Sequence, residues 1–212
     1  MKYAVIGGSM SGLAEATIIE LKKRGFFIFA LDIRNEEREE EGTLYIKTDL
    51  TKNEDIERAR TIVEKKTDKV DFIANFSGCV ILGSFIEKAE GKVERIFALN
   101  LFATFNFNRV FGPLVIKGKG TIAVISSEYG KITAIPLHGY YPMSKHAVEL
   151  YGDSLRRELK KAKDPAILGR KLASIAEKKH PRAHYNIKNS FKMKLLTILP
   201  SPLTDWIFSI FF

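Results

Sequence analysis

The amino-acid sequence predicts an α/β fold: a doubly wound parallel sheet held between helices in three layers, α/β/α. Two observations predict it. The chain opens on a short apolar run of β-favouring residues, Lys2-Tyr3-Ala4-Val5-Ile6, which breaks at a glycine cluster and leads into helix-spaced apolar residues from Ala16 to Leu21. Strand-like and helix-like segments then alternate along the chain, and alternation of this kind specifies a parallel sheet covered on both faces. At 212 residues, 45% hydrophobic and 28% charged, the chain has globular composition and enough material to bury a substantial core.

The elements follow in order. The first strand, over 2–6, runs into the turn Gly7-Gly8-Ser9-Met10-Ser11-Gly12-Leu13-Ala14 and a helix over 12–24. A second strand is read from Phe26-Phe27-Ile28-Phe29-Ala30-Leu31, with further strands at 44–47, 70–75 and 120–126. Helices are expected at 53–65, 90–111 and 142–163. The acidic run Glu36-Glu37-Arg38-Glu39-Glu40-Glu41 reads as a solvated loop or helix turn. There is no internal repeat.

The chemistry is concentrated in a few places. Tyr141 and Lys145 stand four residues apart, on one face of a helix whose first turn carries Pro142. A free tyrosine titrates near ~10 and is a poor acid–base group at neutral pH, whereas a cation held beside it favours the phenolate. Tyr140 has only Ser144 at the matching position, so Tyr141 is the better candidate. The N-terminal strand, glycine turn and helix are the arrangement that holds a dinucleotide pyrophosphate against a helix N-terminus. Gly8, Ser9, Met10, Gly12 and Leu13 are its cofactor-facing positions, although Gly8-x-x-x-Gly12-x-Ala14 departs from the common G-x-G-x-x-G spacing. Asp32 ends the second apolar run 20 residues beyond Gly12, where a carboxylate can accept hydrogen bonds from the adenosine ribose and repel a 2′-phosphate. No Lys or Arg interrupts the turn, which favours NAD over NADP; Arg34, close by, complicates that reading.

With these motifs in their order, the chain resembles the short-chain dehydrogenase/reductase family from Met1 to about Lys161. Asp49-Leu50-Thr51 resembles the family's segment beside the adenine ring. Asn75-Phe76-Ser77-Gly78 resembles its Asn-Asn-Ala-Gly motif, with Phe76 a departure, and Ser127 lies 14 residues before Tyr141, near the family spacing. The wording around the site is most similar to the hydroxysteroid and retinol dehydrogenase branch. The resemblance implies a Rossmann-like domain over 1–190 and these roles: Tyr141 as general acid or base, and Lys145 lowering its pKa and holding the nicotinamide ribose. It also implies Ser127 hydrogen-bonding the substrate oxygen, Asn100 holding a relay water, and Asp49, Leu50, Asn75 and Gly78 among the cofactor contacts. The implied reaction moves a hydride between NAD(H), with NADP(H) second, and a secondary alcohol or ketone of an apolar molecule. Family members pair through the helices near 90–111 and 142–163, so the resemblance implies a homodimer or homotetramer. Taken singly, Asn100 also fits a buried polar group in a helix and Ser127 a turn residue.

Cys79 is the only cysteine, which excludes a disulfide framework; it reads as a small core residue, with a place near the cofactor as the alternative. The four histidines are scattered and form no metal pattern. No N-terminal signal precedes the first strand, so the expectation is a cytoplasmic protein. Between Lys160 and Lys194 stand eleven basic and two acidic residues, so the whole net charge of +9 falls there. An apolar, aromatic-rich tail over 191–212 follows, interrupted by Pro200, Pro202 and Asp205 and unsuited to spanning a bilayer. It suits either an anionic membrane surface or packing over the substrate cleft or a partner subunit; nucleic-acid binding is not expected, since no recognition motif accompanies the charge.

One expectation runs against the rest. Leu159-Lys160-Lys161-Ala162-Lys163 leads directly into Asp164-Pro165-Ala166-Ile167-Leu168, which resembles a much later family helix, and Arg182-Ala183-His184-Tyr185-Asn186-Ile187 resembles the last family strand. A strand, a nicotinamide contact and the substrate lid are expected to be missing near 161–164. The missing segment leaves a second reading open, a catalytically impaired nucleotide-binding relic whose basic, apolar C-terminus attaches to a membrane or partner.

Overall fold

The computed structural model describes residues 1–84, 86, 91–131 and 138–161. The junction after Lys161, the basic stretch beyond it, the expected strand near 183–187 and the tail over 191–212 lie outside the described residues.

Six strands form one sheet: β1 (Lys2–Gly7), β2 (Phe26–Asp32), β3 (Arg38–Glu40), β4 (Thr43–Lys47), β5 (Phe72–Asn75) and β6 (Thr121–Ala123), in the order β3-β4-β2-β1-β5-β6. All neighbours are parallel except β3 and β4. The helices are α1 (Gly12–Lys23), α2 (Asn53–Glu64), α3 (Lys92–Phe97), α4 (Ala103–Gly118) and α5 (Tyr140–Lys161), with a π-helical turn, Ala98–Phe102, joining α3 to α4. The sheet is the parallel, doubly wound one the sequence predicts.

The central strands are apolar between their ends because both of their faces are covered. Val5, Phe29, Leu31 and Ile73 pack beneath Ile56, Ala59 and Val63 of α2 and Phe107, Val110, Phe111 and Leu114 of α4. On the other face Ala4, Ile6, Ile28, Ala30 and Ala74 receive Ala14 and Ile18 of α1. The small side chains on that face let α1 sit close, and Ala14 itself is fully buried where the common fingerprint has a third glycine.

The strands expected at 70–75 and 120–126 are shorter, α5 begins two residues before the expected 142, and two further differences are larger. The acidic run contains β3, which pairs antiparallel with β4 through a two-residue turn, Glu41-Gly42, with φ of 46° and 77°. Both turn residues are left-handed, the geometry that suits the twist of a hairpin. The strand is wholly exposed and has no apolar alternation to announce it; Arg38 over the Tyr45 ring and the ion pairs Arg58–Glu37 and Lys66–Glu39 hold it instead. The helix expected over 90–111 is broken by the π turn and runs on to Gly118 through Pro113.

Candidate active site

Four parallel strands, β2, β1, β5 and β6, deliver the candidate residues to one edge of the sheet, the carboxyl ends, where open α/β sheets bind their ligands. At the end of β1, Gly8 has φ of 65°, and a Cβ there would stand 2.4 Å from the Ser77 amide nitrogen and 2.8 Å from the Phe76 carbonyl carbon. Only glycine lets the turn come this close to the exit of β5. Gly12 opens α1, and a Cβ on it would meet nothing within 4 Å. A tight turn backed by β5 and open space before a helix N-terminus together fit a pyrophosphate. Met10 and Leu13 are exposed on this side, whereas Ser9 is buried and its Oγ accepts from Asn35 Nδ2 at 3.2 Å.

Asp32 is 6% exposed, and its carboxylate is engaged on both oxygens. Oδ2 accepts from the Met10 N–H at 3.1 Å and from Arg34 Nη2 at 3.5 Å; Oδ1 accepts from the Arg34 N–H at 3.0 Å and Nε at 3.1 Å. Burial alone would raise its pKa, but these hydrogen bonds and the Arg34 charge prevail and hold it below the usual carboxylate value. Asp49 accepts from the N–H and hydroxyl of Thr51, at 3.0 and 2.6 Å, and so shapes the entry to α2. Leu50 is buried in the main core, with its Cδ1 3.1 Å from where a Cβ on Gly7 would stand. Asn75 donates to Thr104 Oγ1 at 3.2 Å and accepts from the Ser77 N–H at 2.9 Å. Leu50 and Asn75 thus turn their side chains inward.

The second group of candidate residues is built on the π turn and α5. A π turn aims a side chain that a regular helix would direct elsewhere, and such turns recur at functional sites. Here it buries Asn100, whose Oδ1 accepts from the Cys79 N–H at 2.8 Å and whose Nδ2 donates to the Cys79 carbonyl at 3.0 Å and to Ser144 Oγ at 2.9 Å. Ser144 Oγ donates in turn to the Tyr141 carbonyl at 2.8 Å. Asn100 therefore clamps the segment leaving β5 to the first turn of α5. Ser144, one turn from Tyr141 on the same helix face, is a link that sequence reading passed over. Lys145 is 6% exposed; its Nζ lies 5.9 Å from the Tyr141 ring centroid and donates to the Ile125 carbonyl at 3.4 Å. Burial pushes its pKa down, opposed by the charge of Cys79. A Cβ on Gly78 would stand 3.2 Å from Asn100 Oδ1 and 3.9 Å from Nζ, so a side chain there would crowd the Asn100 amide before it reached the ammonium.

Ser126 and Ser127 separate cleanly. Ser126 Oγ donates to the Lys145 carbonyl at 3.3 Å and serves the packing of α5. Ser127 Oγ accepts from the Tyr129 N–H at 3.2 Å, which leaves its O–H as a donor. The Tyr129 ring meets Tyr141 edge-on at 5.6 Å and lies nearly parallel to His138 at 6.4 Å. Tyr140, beside Tyr141 in sequence, is 3% exposed and donates its hydroxyl to the Ser84 carbonyl. Cys79 is half-buried; burial raises its pKa, opposed by the charges of Arg95 and Lys145.

Comparison with known proteins agrees with this geometry. The family model for short chain dehydrogenase matches residues 2–166, and the chain belongs to that family. It is 27% identical over 154 residues to an NAD-dependent glycerol dehydrogenase of Listeria innocua, covering 69% of this chain and 60% of that protein. It is 26% identical over 168 residues to an NADPH-dependent 1-acyldihydroxyacetone phosphate reductase of Saccharomyces cerevisiae, covering 75% and 56%. Among solved structures, a short-chain dehydrogenase/reductase of Serratia marcescens superposes with a TM-score of 0.70 at 22% identity, over 76% of this chain and 73% of that one. A short chain dehydrogenase family protein of Francisella tularensis superposes with a TM-score of 0.67 at 25% identity, over 76% and 65%. The chain spans between about half and three-fifths of the length of the curated relatives it matches. No helix among the described residues is long and apolar enough to cross a membrane.

Proposed function

We propose that the protein transfers a hydride between a nicotinamide dinucleotide and a secondary alcohol or ketone of an apolar molecule. The observation that carries this reading is the buried Lys145 on the same helix face as Tyr141, its Nζ 5.9 Å from the Tyr141 ring centroid. Gly8, Gly12 and Asp32 would hold the adenosine and pyrophosphate half, and Lys145 the nicotinamide ribose. A bound nicotinamide supplies or accepts the hydride. In reduction the Tyr141 hydroxyl gives its proton to the carbonyl oxygen; in oxidation the phenolate takes it back. The Lys145 ammonium favours the phenolate by charge, and the Ser127 O–H donates to the same substrate oxygen where negative charge develops. Asn100 keeps the Cys79 backbone and α5 in register with one another. Its side chain is spent on that clamp, so any relay water would be held by its neighbours rather than by its amide.

The negative charge of Asp32 favours NAD over NADP. The exposed apolar residues Phe102 and Phe105 near the start of α4, and Met143 and Leu150 of α5, support pairing of two copies through these helices. The test is oxidation of reduced nicotinamide dinucleotide with a panel of apolar ketones, followed by its absorbance. Wild-type turnover that Tyr141→Phe removes supports the reading; turnover equal in the two proteins refutes it.

A further inference from the structure

Ser144 takes no part in the transfer proposed above, yet it stands at a joint of the site. It is fully buried, directly precedes Lys145 and lies three residues after Tyr141. Its Oγ accepts from Asn100 Nδ2 at 2.9 Å and donates to the Tyr141 carbonyl at 2.8 Å. Asn100 is fully buried too, and its neighbours fix the orientation of its amide. The Cys79 N–H, at 2.8 Å, needs an acceptor, and the Cys79 carbonyl, at 3.0 Å, needs a donor. Both Nδ2 hydrogens are therefore used, one on the Cys79 carbonyl and one on Ser144. The single hydroxyl hydrogen of Ser144 is committed to Tyr141. The bonds run in one direction, from the π turn through Ser144 to the backbone of Tyr141.

The first turn of α5 is fastened from two sides. From the β6 side, Ser126 Oγ donates to the Lys145 carbonyl at 3.3 Å, and Lys145 Nζ donates to the Ile125 carbonyl at 3.4 Å. From the β5 side, the fastening is the Asn100–Ser144 chain. Tyr141 is held at both backbone polar atoms: its N–H donates to the His138 carbonyl at 3.2 Å, and its carbonyl takes the Ser144 hydroxyl. Without that hydroxyl, Lys145 keeps its ties to the β6 side while Tyr141 loses its tie to the π turn. The first turn is also where a helix has no intrahelical acceptor for its N–H groups and is least secured by its own backbone.

We infer that Ser144 is a positioning residue, which passes the hold of the buried Asn100 on to Tyr141 and fixes the Tyr141 ring beside Lys145. Asn100 then serves the reaction through Ser144 and not by holding a relay water. The inference rests on the proposed acid–base role of Tyr141 and deepens it. Its size follows from geometry, since a misplacement of about 1 Å at a reacting group costs on the order of 10²-fold in rate.

The test begins with Ser144→Ala in the full chain, which removes the hydroxyl and leaves a strong helix former. The variant should lose about tenfold to hundredfold in kcat for ketone reduction, with KM for the dinucleotide within about threefold of wild type. Asn100→Ala should lose at least as much. The double variant should fall no more than about threefold below Asn100→Ala, because both changes cut one chain of bonds. A kcat that Ser144→Ala leaves within about threefold of wild type overturns the inference, and so do losses that multiply in the double variant. A second readout needs no turnover. The seven tyrosines are replaced by fluorotyrosine and followed by fluorine NMR, with Tyr141→Phe assigning the Tyr141 resonance. Ser144→Ala should shift or broaden that resonance more than that of buried Tyr140, and an unmoved Tyr141 resonance overturns the inference. A wild type without turnover whose Tyr141 resonance responds refutes the hydride reading and leaves the positioning role standing. If the alanine variant does not fold, Ser144→Cys, close in shape and a weak donor, replaces it with the same expected losses.

Discussion

Tyr140 and Tyr141 are adjacent and chemically identical, and the structure assigns them opposite consequences. The perturbation is the same single atom in each case, Tyr→Phe. Tyr140 is buried, its hydroxyl donates to the Ser84 carbonyl, and its ring edge lies 3.2 Å from where a Cβ on Gly83 would stand. Removing that oxygen deletes one buried hydrogen bond, a loss of about 0.5–1.5 kcal/mol. In a chain of this size about 1 kcal/mol lowers Tm by about 2–4 °C. The segment from Cys79 to Ser84 should also lose amide protection, because one of its ties, beside the Asn100 clamp at Cys79, is removed. Tyr141 is half-buried at the mouth of the site, and its ring contacts survive the change. Tyr141→Phe should leave Tm within about 1 °C yet lower kcat/KM by about 10²–10⁴, the usual worth of a positioned acid or base. The assays are thermal melts, hydrogen exchange over 79–84 and steady-state ketone reduction. A Tyr140→Phe variant with unchanged melt and exchange would refute the packing argument. Equal losses of activity from both variants would refute the division of roles.

Lys145→Met should raise stability at neutral pH while weakening dinucleotide binding, because burial disfavours the ammonium and no salt bridge to it is found among the described residues. Its folded pKa is depressed, so the unfolded chain binds more protons. The stability of wild type relative to the variant should therefore rise as pH climbs from the folded value of Lys145 toward the ordinary lysine value of about 10.4. Denaturant titrations at a series of pH values check this, and a flat difference refutes it. Gly8→Ala should lower Tm and abolish nucleotide binding together, since the new Cβ would overlap the Phe76–Ser77 peptide; a soluble variant that still binds adenosine diphosphate refutes the close-approach argument. Glu41→Asn should stabilise the chain by a few tenths to about 1 kcal/mol, because asparagine tolerates the left-handed φ that Glu41 adopts in the β3–β4 turn. A lowered denaturant midpoint would count against it. Leu150→Glu should shift sedimentation toward the monomer if copies pair through α4 and α5, and should leave nucleotide affinity unchanged.

What the sequence made legible was set by local constraint. The glycine turn is readable because a left-handed turn pressed against the next strand favours glycine and because the strand before it ends in a buried apolar run. The Tyr141–Lys145 pair is readable because helical spacing alone brings the two together. What escaped depends on three-dimensional context. Arg34 follows Asp32 by two residues, a spacing compatible with many directions, and the side chain's turn back onto the carboxylate cannot be seen in the letters. The strand β3 has no apolar pattern and exists through its hairpin turn and its ion pairs. Leu50 and Asn75 matched cofactor-facing motif positions, yet their side chains serve the core and the Thr104 tie. The π turn has no marker in Ala98-Leu99-Asn100-Leu101-Phe102; it becomes necessary once Asn100 must reach both Cys79 and Ser144.

The distribution of these residues along the strand ends separates two kinds of work. The corner at the end of β2 is secured by the charged contacts of Asp32 with the Met10 N–H and Arg34, beside the neutral bonds of Asn35 to Ser9 and the Ala30 carbonyl. The reacting end is secured instead by neutral hydrogen bonds that start from Asn100 and pass through Ser144 to Tyr141, with Lys145 the single buried charge among them. Charged contacts at a partly exposed corner weaken with salt, whereas a buried neutral network does not. Ionic strength should therefore loosen the hold on the cofactor's adenosine end well before it alters the geometry around Tyr141. A buried ammonium whose hydrogen-bond partner is the neutral Ile125 carbonyl would stay available to a ribose and to a phenolate, since no salt bridge to it is found among the described residues. The arrangement that makes Lys145 a liability for folding is the one that keeps it free for chemistry.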